Sequence, residues 1–171
     1  MNKALLVIDL QNDYFPGGLF PIWNANVVLA NIVQAITRAR EQSIPVILIQ
    51  HVANSELGIS PFFNKNTWGA EIHPHILAAA PNALVVVKEF TDGFEKTTLA
   101  DLLSKFQVRK LFICGMMTQN CVTHTAISKS AEKYEISVLT DCCSTVSEIL
   151  HNIALFALST RVSLVTLQDI L

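Results

Sequence analysis

Three side chains in this sequence have the right chemistry to break an acyl bond, provided a fold brings them together: Asp9, Lys88 and Cys121. Asp9 directly follows the apolar run 4–8, and Lys88 directly follows Leu84-Val85-Val86-Val87. Cys121 ends the segment Gly115-Met116-Met117-Thr118-Gln119-Asn120, which trails a third apolar run, 111–113. An ionised thiol is a strong nucleophile, a carboxylate beside it can take its proton, and an ammonium favours the anionic form. Together, an Asp base, a Cys nucleophile and a Lys cation make a consistent set for acyl transfer. Cys121 also reads as the opening residue of a helix over 121–133. There the unpaired first-turn amides and the helix dipole would lower its pKa, and the same amides could bind an oxyanion. Each residue has a plainer reading too: a core thiol, a turn-forming acid, a strand-ending lysine that reaches solvent. The case for chemistry is the coincidence of all three.

That coincidence depends on the elements that carry them. Short apolar runs predict strands over 4–8, 44–50, 83–87, 110–114, 136–139 and 162–167, with Gly115 closing the fourth. Helical spacing of Val27, Val28, Ile32, Ala35, Ile36 and Ala39 predicts a helix over 24–42, with Asn24 as its N-cap. Further helices are expected over 97–106, 121–133 and 147–159, the last with an apolar stripe at Ile149, Leu150, Ile153, Leu155 and Phe156. Strand and helix alternate throughout. The expected fold is therefore α/β: three layers, α-β-α, around a six-stranded, mostly parallel, Rossmann-like sheet. Right-handed crossovers bring the carboxyl ends of the strands to one edge, where such folds place ligands, and all three residues lie at that edge. At 171 residues the chain is one domain, 1–171. The segment 52–81, with Gly58, Pro61, Gly69 and Pro74, is long for a connection and reads as a lid or binding loop.

Composition removes other classes. With 51% apolar and 15% charged residues, disorder is excluded. A net charge of −2 without a long run of either sign argues against nucleic acid or an anionic membrane surface as partner. The apolar runs 46–49, 84–87 and 111–113 are far shorter than the ~20 residues of a membrane span. The amino terminus resembles a signal peptide only superficially: its apolar stretch is 4–8 and ends in an acid, so a mature cytoplasmic start is expected. Four cysteines without a Cys-x-x-Cys point to reduced thiols, again cytoplasmic. Cys114 reads as core, and Cys142-Cys143 as packing thiols in preference to a redox pair, because adjacent cysteines close a strained ring. A mean hydropathy of +0.41 suggests a sheet covered on both faces plus an apolar face for another subunit. A homo-oligomer, dimer or tetramer, is expected, with the excess of the 149–158 stripe as its seam.

The motifs also carry a resemblance. Leu5-Leu6-Val7-Ile8-Asp9-Leu10-Gln11-Asn12-Asp13-Tyr14 with Gly17-Gly18 resembles the opening of the isochorismatase-like cysteine hydrolases. That superfamily includes nicotinamidases and N-carbamoylsarcosine, biuret and ureidoacrylate amidohydrolases. Gly69-Ala70-Glu71-Ile72-His73-Pro74 resembles its central loop, Val87-Lys88 with Phe94 its lysine motif, and Gly115 to Val122 its nucleophile motif. The four occur in family order across nearly the whole chain. The resemblance implies a catalytic triad of Asp9, Lys88 and Cys121, and a cis peptide between Met116 and Met117. It also implies an oxyanion hole from the backbone N–H groups of Met117 and Cys121.

The substrate follows only in outline. The nicotinamidases of this superfamily carry a metal site with an Asp-x-His soon after the second strand. Here that stretch is Gln50-His51-Val52-Ala53, so only His73 matches and pyridine-carboxamide hydrolysis is disfavoured. Unless His51, His73 and His75 meet by another route, no metal or other cofactor is expected. Relatives acting on isochorismate need no cysteine, so Cys121 favours C–N hydrolysis of a small amide, ureide or carbamoyl compound through a thioester. Tyr14, Phe62, Trp68 and Phe94 are candidates to wall the pocket. Two other classes stay open: a non-catalytic relative that binds a small molecule or a partner protein, and a thiol redox protein using Cys142 and Cys143.

Overall fold

The first strand, β1 (Lys3–Ile8), is buried at every position from Ala4 onward, as expected of a central strand covered on both faces. In this computed structural model, which describes residues 2–170, five more strands join it: β2 (Val46–His51), β3 (Leu84–Lys88), β4 (Lys110–Met116), β5 (Glu135–Ser144) and β6 (Ser163–Val165). Their order is β3-β2-β1-β4-β5-β6, and every pair is parallel. The chain thus winds outward from β1 to one side, returns, and winds outward from β4 to the other. The switch in direction lies between β1 and β4, the place where open α/β sheets leave a crevice.

Alternation along the strands divides the core in two. Leu5, Val7, Leu48 and Phe112 pack under α1 (Ala25–Glu41) and α2 (Pro74–Ala79). Ala4, Leu6, Ile8, Ile47, Ile49 and Ile113 pack under α3 (Leu99–Lys105), α4 (Thr123–Ala126) and the end of α5 (Glu148–Leu158). This is the expected three-layer sandwich, with the sheet wholly parallel. Cys142 lies in the first layer and Cys143 in the second, because successive strand residues face opposite ways. Their sulfurs are on opposite sides of the sheet, which removes the redox pair. Among the described residues, no helix is long and apolar enough to cross a membrane.

Several boundaries differ from expectation, each for a local reason. The helix expected over 121–133 breaks into a π-helical turn (Thr118–Val122), the single turn α4, and a 3₁₀ turn (Lys129–Ala131). Hydroxyls compete with the helical ladder there: Thr123 Oγ1 donates to the Thr118 carbonyl at 2.6 Å, and Ser128 Oγ accepts from Ser130 N–H at 3.2 Å. Asn24 holds the expected N-cap position of α1, but in a left-handed conformation (φ 57°) and without a side-chain capping bond. The fourth strand runs through Gly115 to Met116, and the fifth extends past Asp141 to Ser144. Gly115 has φ +127°, and a Cβ there would strike the Ile8 carbonyl, so only glycine lets β4 pass this close to β1. The helix α2 was not expected; Pro74 in its first turn and His73 Nδ1 accepting from His75 N–H at 3.2 Å are its start signals. On α5 the buried residues are His151, Ala154 and Leu158, while Ile149, Ile153 and Phe156 stay exposed.

Candidate active site

Four neighbouring strands deliver one side chain each to the carboxyl edge of the sheet. Asp9 leaves β1 with φ 54°, its N–H bonded to the Ile49 carbonyl at 3.0 Å, a left-handed turn that Asp tolerates. Lys88 is the last residue of β3 and pairs in register with His51, the last of β2. Cys121 lies in the π-turn that follows β4, across the switch point from Asp9.

Lys88 Nζ stands between the other three. It is 2.9 Å from Asp9 Oδ2, 2.9 Å from His51 Nδ1 and 3.3 Å from Cys121 Sγ. Asp9, Lys88 and Cys121 are 0%, 1% and 3% exposed. The structure thus gathers the three residues singled out by spacing, and nearly encloses them. Asp9 Oδ1 is buried with no partner, an acceptor left over for a proton.

The electrostatics correct one expectation. The Cys121 thiol is not lowered toward a thiolate. Burial pushes its pKa up, Asp9 adds to that, and the Lys88 charge opposes them without prevailing. The reason is placement: Cys121 sits inside a π-turn ahead of a single helical turn, against a carboxylate, and not at the open end of a long helix. For Lys88, burial alone would lower the pKa, but Asp9 and Cys121 outweigh it and hold the amine above its ordinary value. His51 is held down to about 4, first by burial and then by the Lys88 charge. Burial also raises the Tyr14 phenol, with Asp9 and Cys121 adding to the effect, so this hydroxyl stays protonated beside the site.

The polar run after β1 pins the long loop over this edge. Gln11 Nε2 donates to the carbonyls of His51 and Ala70, both at 2.7 Å, and its Oε1 accepts from His51 N–H at 2.8 Å. Asn12 Nδ2 donates to the Trp68 carbonyl at 2.9 Å. The Asp13 carboxylate accepts from Phe63 N–H at 2.7 Å and Leu19 N–H at 3.0 Å. Gly69 is required here, since a Cβ would run into that carboxylate. Spacing alone missed Gln11, Asn12, Asp13, Phe63 and the role of His51. The available signal was the run of three polar residues, Gln11-Asn12-Asp13, separated only by Asp9 and Leu10 from the end of an apolar strand.

The aromatic candidates separate. Tyr14 and Phe62 pack together at 5.3 Å between ring centroids, with Phe63 against both. The Trp68 side chain is exposed, and Phe94 stacks on Tyr134 in the α3–α4 layer. His73 and His75 face each other at 5.1 Å, and His73 packs on Phe15. Among the described residues, the ligand-type atoms that converge belong to Asp9, His51 and Cys121, all within 4.8 Å of one another. The space they enclose is taken by the Lys88 ammonium, so this donor set does not fit a metal ion. The peptide between Met116 and Met117 is cis.

An isochorismatase domain model matches residues 3–169. The chain belongs to the isochorismatase family. It is 35% identical to the isochorismatase family protein YddQ of Bacillus subtilis (strain 168), over 86% of this chain and 80% of that one. It is 28% identical to the "probable inactive nicotinamidase At3g16190" of Arabidopsis thaliana, over 88% of this chain and 84% of that one. It is 26% identical to the nicotinamidase of Escherichia coli (strain K12), over 85% and 84% of the two chains. Among solved structures it superposes with a TM-score of 0.89 on an isochorismatase family protein from Desulfovibrio vulgaris subsp. vulgaris str. Hildenborough, at 25% identity, covering 99% of this chain and 96% of that one. This isochorismatase-family chain is a cysteine hydrolase of the amidohydrolase type.

Proposed function

We propose that the chain hydrolyses the C–N bond of a small amide, ureide or carbamoyl compound through a thioester on Cys121. One observation carries this reading: a single ammonium, Lys88 Nζ, touches both the Asp9 carboxylate and the Cys121 sulfur. Cys121 rests as a thiol, so the reaction begins with proton transfer. Asp9 takes the thiol proton as the sulfur attacks the carbonyl carbon, and Lys88 balances the charge that then spreads over sulfur and carboxylate. The backbone N–H groups of Met117 and Cys121 are assigned to the oxyanion. The tetrahedral intermediate collapses as Asp9 returns the proton to the departing nitrogen. Water, deprotonated by the same carboxylate, then hydrolyses the thioester and restores the thiol. Tyr14 and Phe62 are assigned to the pocket wall, with the exposed Trp68 as an outer candidate; Phe94, buried against Tyr134, is assigned to the core. Cys121 is almost fully enclosed, so substrate entry needs a local opening around the sulfur, and its reclosure excludes bulk water.

The test is a screen for ammonia release from carboxamides, ureides and carbamoyl compounds, with mass spectrometry of the intact protein. An acyl adduct on Cys121, absent from Cys121→Ala, is the expected result. Turnover that survives Cys121→Ala refutes the mechanism. A second reading, a non-catalytic binding member, draws on the same enclosure of the sulfur and on the relative named as inactive. Ligand binding without turnover, unchanged in Cys121→Ala, would favour it. A reducing, cytoplasmic setting is part of the proposal, supported by four free cysteines. So is self-association, supported by the mean hydropathy and the exposed Ile149, Ile153 and Phe156. A monomer in sedimentation at micromolar concentration would remove it.

A further inference from the structure

A lysine ammonium has three N–H donors and no acceptor. At Lys88 each donor has one heavy-atom neighbour: Asp9 Oδ2 at 2.9 Å, Cys121 Sγ at 3.3 Å and His51 Nδ1 at 2.9 Å. The third contact works only if Nδ1 carries a lone pair, which places the ring proton on Nε2. Resting on the reading of Asp9, Lys88 and Cys121 as one reacting group, we propose that His51 is its positioning residue: a neutral imidazole whose Nδ1 accepts the third Lys88 N–H and fixes the ammonium between carboxylate and sulfur.

The surroundings of His51 are built for this. In-register parallel pairing sets its side chain beside that of Lys88. The Gln11 side-chain amide clamps the His51 backbone from both sides, at 2.7 and 2.8 Å, and is itself fully buried. The Phe63 ring lies 5.9 Å from the imidazole, centroid to centroid. The charged or titratable groups around it are Lys88 from β3, Asp9 after β1, and the Cys121 thiol in the π-turn, within 4.8 Å; of these Lys88 and Asp9 act on its charge. Lys88 opposes a second positive charge at 2.9 Å, and burial acts the same way; Asp9 acts against them and is outweighed. Nδ1 faces the ammonium, so the Nε2–H bond points away from it, on a ring that is only partly buried. An uncharged donor is thereby presented next to the triad.

Two measurements on the full chain test this without knowledge of the substrate. In nitrogen-15 spectra of histidine-labelled protein, His51 should be a neutral Nε2–H imidazole at pH 7. An imidazolium or an Nδ1–H tautomer at that pH overturns the proposal. The second is the rate of Cys121 alkylation by iodoacetamide against pH. His51→Leu removes the acceptor, loosens the ammonium from the sulfur, and should slow alkylation about tenfold at pH 8, the scale of one hydrogen bond to a charge. His51→Asn, whose Oδ1 can occupy the Nδ1 position, should restore most of that loss and of the shifted pH profile. Equal rates in the Leu and Asn variants overturn the positioning role. If Cys121 in the parent protein reacts no faster than Cys114, Cys142 and Cys143, the triad reading itself fails. The spectra would still report the His51 tautomer.

Discussion

The Asp9–Lys88 pair can be tested by a double-mutant cycle, Asp9→Asn, Lys88→Met and both together. Both side chains are 0% exposed, and the charged atoms are 2.9 Å apart. At an effective dielectric of ~20, that separation corresponds to an attraction of about 6 kcal/mol, from which desolvation takes back a large share. Removing one partner leaves the other charge buried and uncompensated. Each single variant should therefore lose about 3–5 kcal/mol, a large fraction of a typical domain's stability. The double variant buries no charge, so it should be less destabilised than the sum of the singles, with a coupling of about 3 kcal/mol. Urea unfolding at pH 7 with a common m-value measures all four proteins on one scale. Iodoacetamide labelling of the same set reads the electrostatics: Lys88→Met, which lacks the cation that favours the thiolate, should slow the Cys121 reaction, whereas Asp9→Asn, which removes the carboxylate that raises the thiol, should not slow it. Losses that add to within ~0.5 kcal/mol would show that the two groups do not interact, and the site as described would be wrong.

Other outcomes follow from the same geometry. His51 is depressed from 6.5 to about 4, so the stability it contributes is present above its unfolded value and lost as pH falls from 6.5 toward 4. That loss is at most about 3 kcal/mol and is reduced by the exposed part of the ring; urea midpoints between pH 7 and 4.5 should show a shallower slope in His51→Asn. On the alkaline side, burial raises the thiols of Cys114, Cys121, Cys142 and Cys143. Their contribution is full below the unfolded thiol value and lost as pH rises through it, at about 1.4 kcal/mol per thiol per pH unit. Urea midpoints should fall steeply above pH 9, and a flat profile to pH 10 would contradict the burial of the four sulfurs. Gly69→Ala drives a methyl group into the Asp13 carboxylate that holds Phe63 and Leu19. Hydrogen exchange and protease nicking should increase between residues 53 and 70 while the strands stay protected.

Much of the site was legible because strand ends are legible. A buried parallel strand shows as an apolar run, and the first polar residue after it falls at the carboxyl edge, which places Asp9 and Lys88 in one region. His51 has the same credentials, as the last residue of β2, but its importance is pairwise. It matters because β2 lies between β1 and β3, a neighbour relation that the order of elements along the chain does not state. The helix expected over 121–133 failed because the Thr123 and Ser128 hydroxyls divert backbone bonds into local turns, a competition that hydrophobic spacing does not register. On α5, the apolar stripe showed that a helix forms but not which side faces the sheet, and Ala154 and Leu158 face inward with His151.

Local physics alone determined the alternating elements, the α/β fold class and the three reactive residue types at one edge, because propensity, periodicity and crossover handedness act over short stretches of chain. Burial depth and non-local contact decided the rest. Only the assembled sheet seats the ammonium among Asp9, His51 and Cys121, raises the thiol where an open helix end would have lowered it, and closes a loop pinned by Gln11, Asn12 and Asp13 over the result. A pKa responds to whatever displaces water and to every charge within a few ångströms, and most of those neighbours lie tens of residues away in sequence.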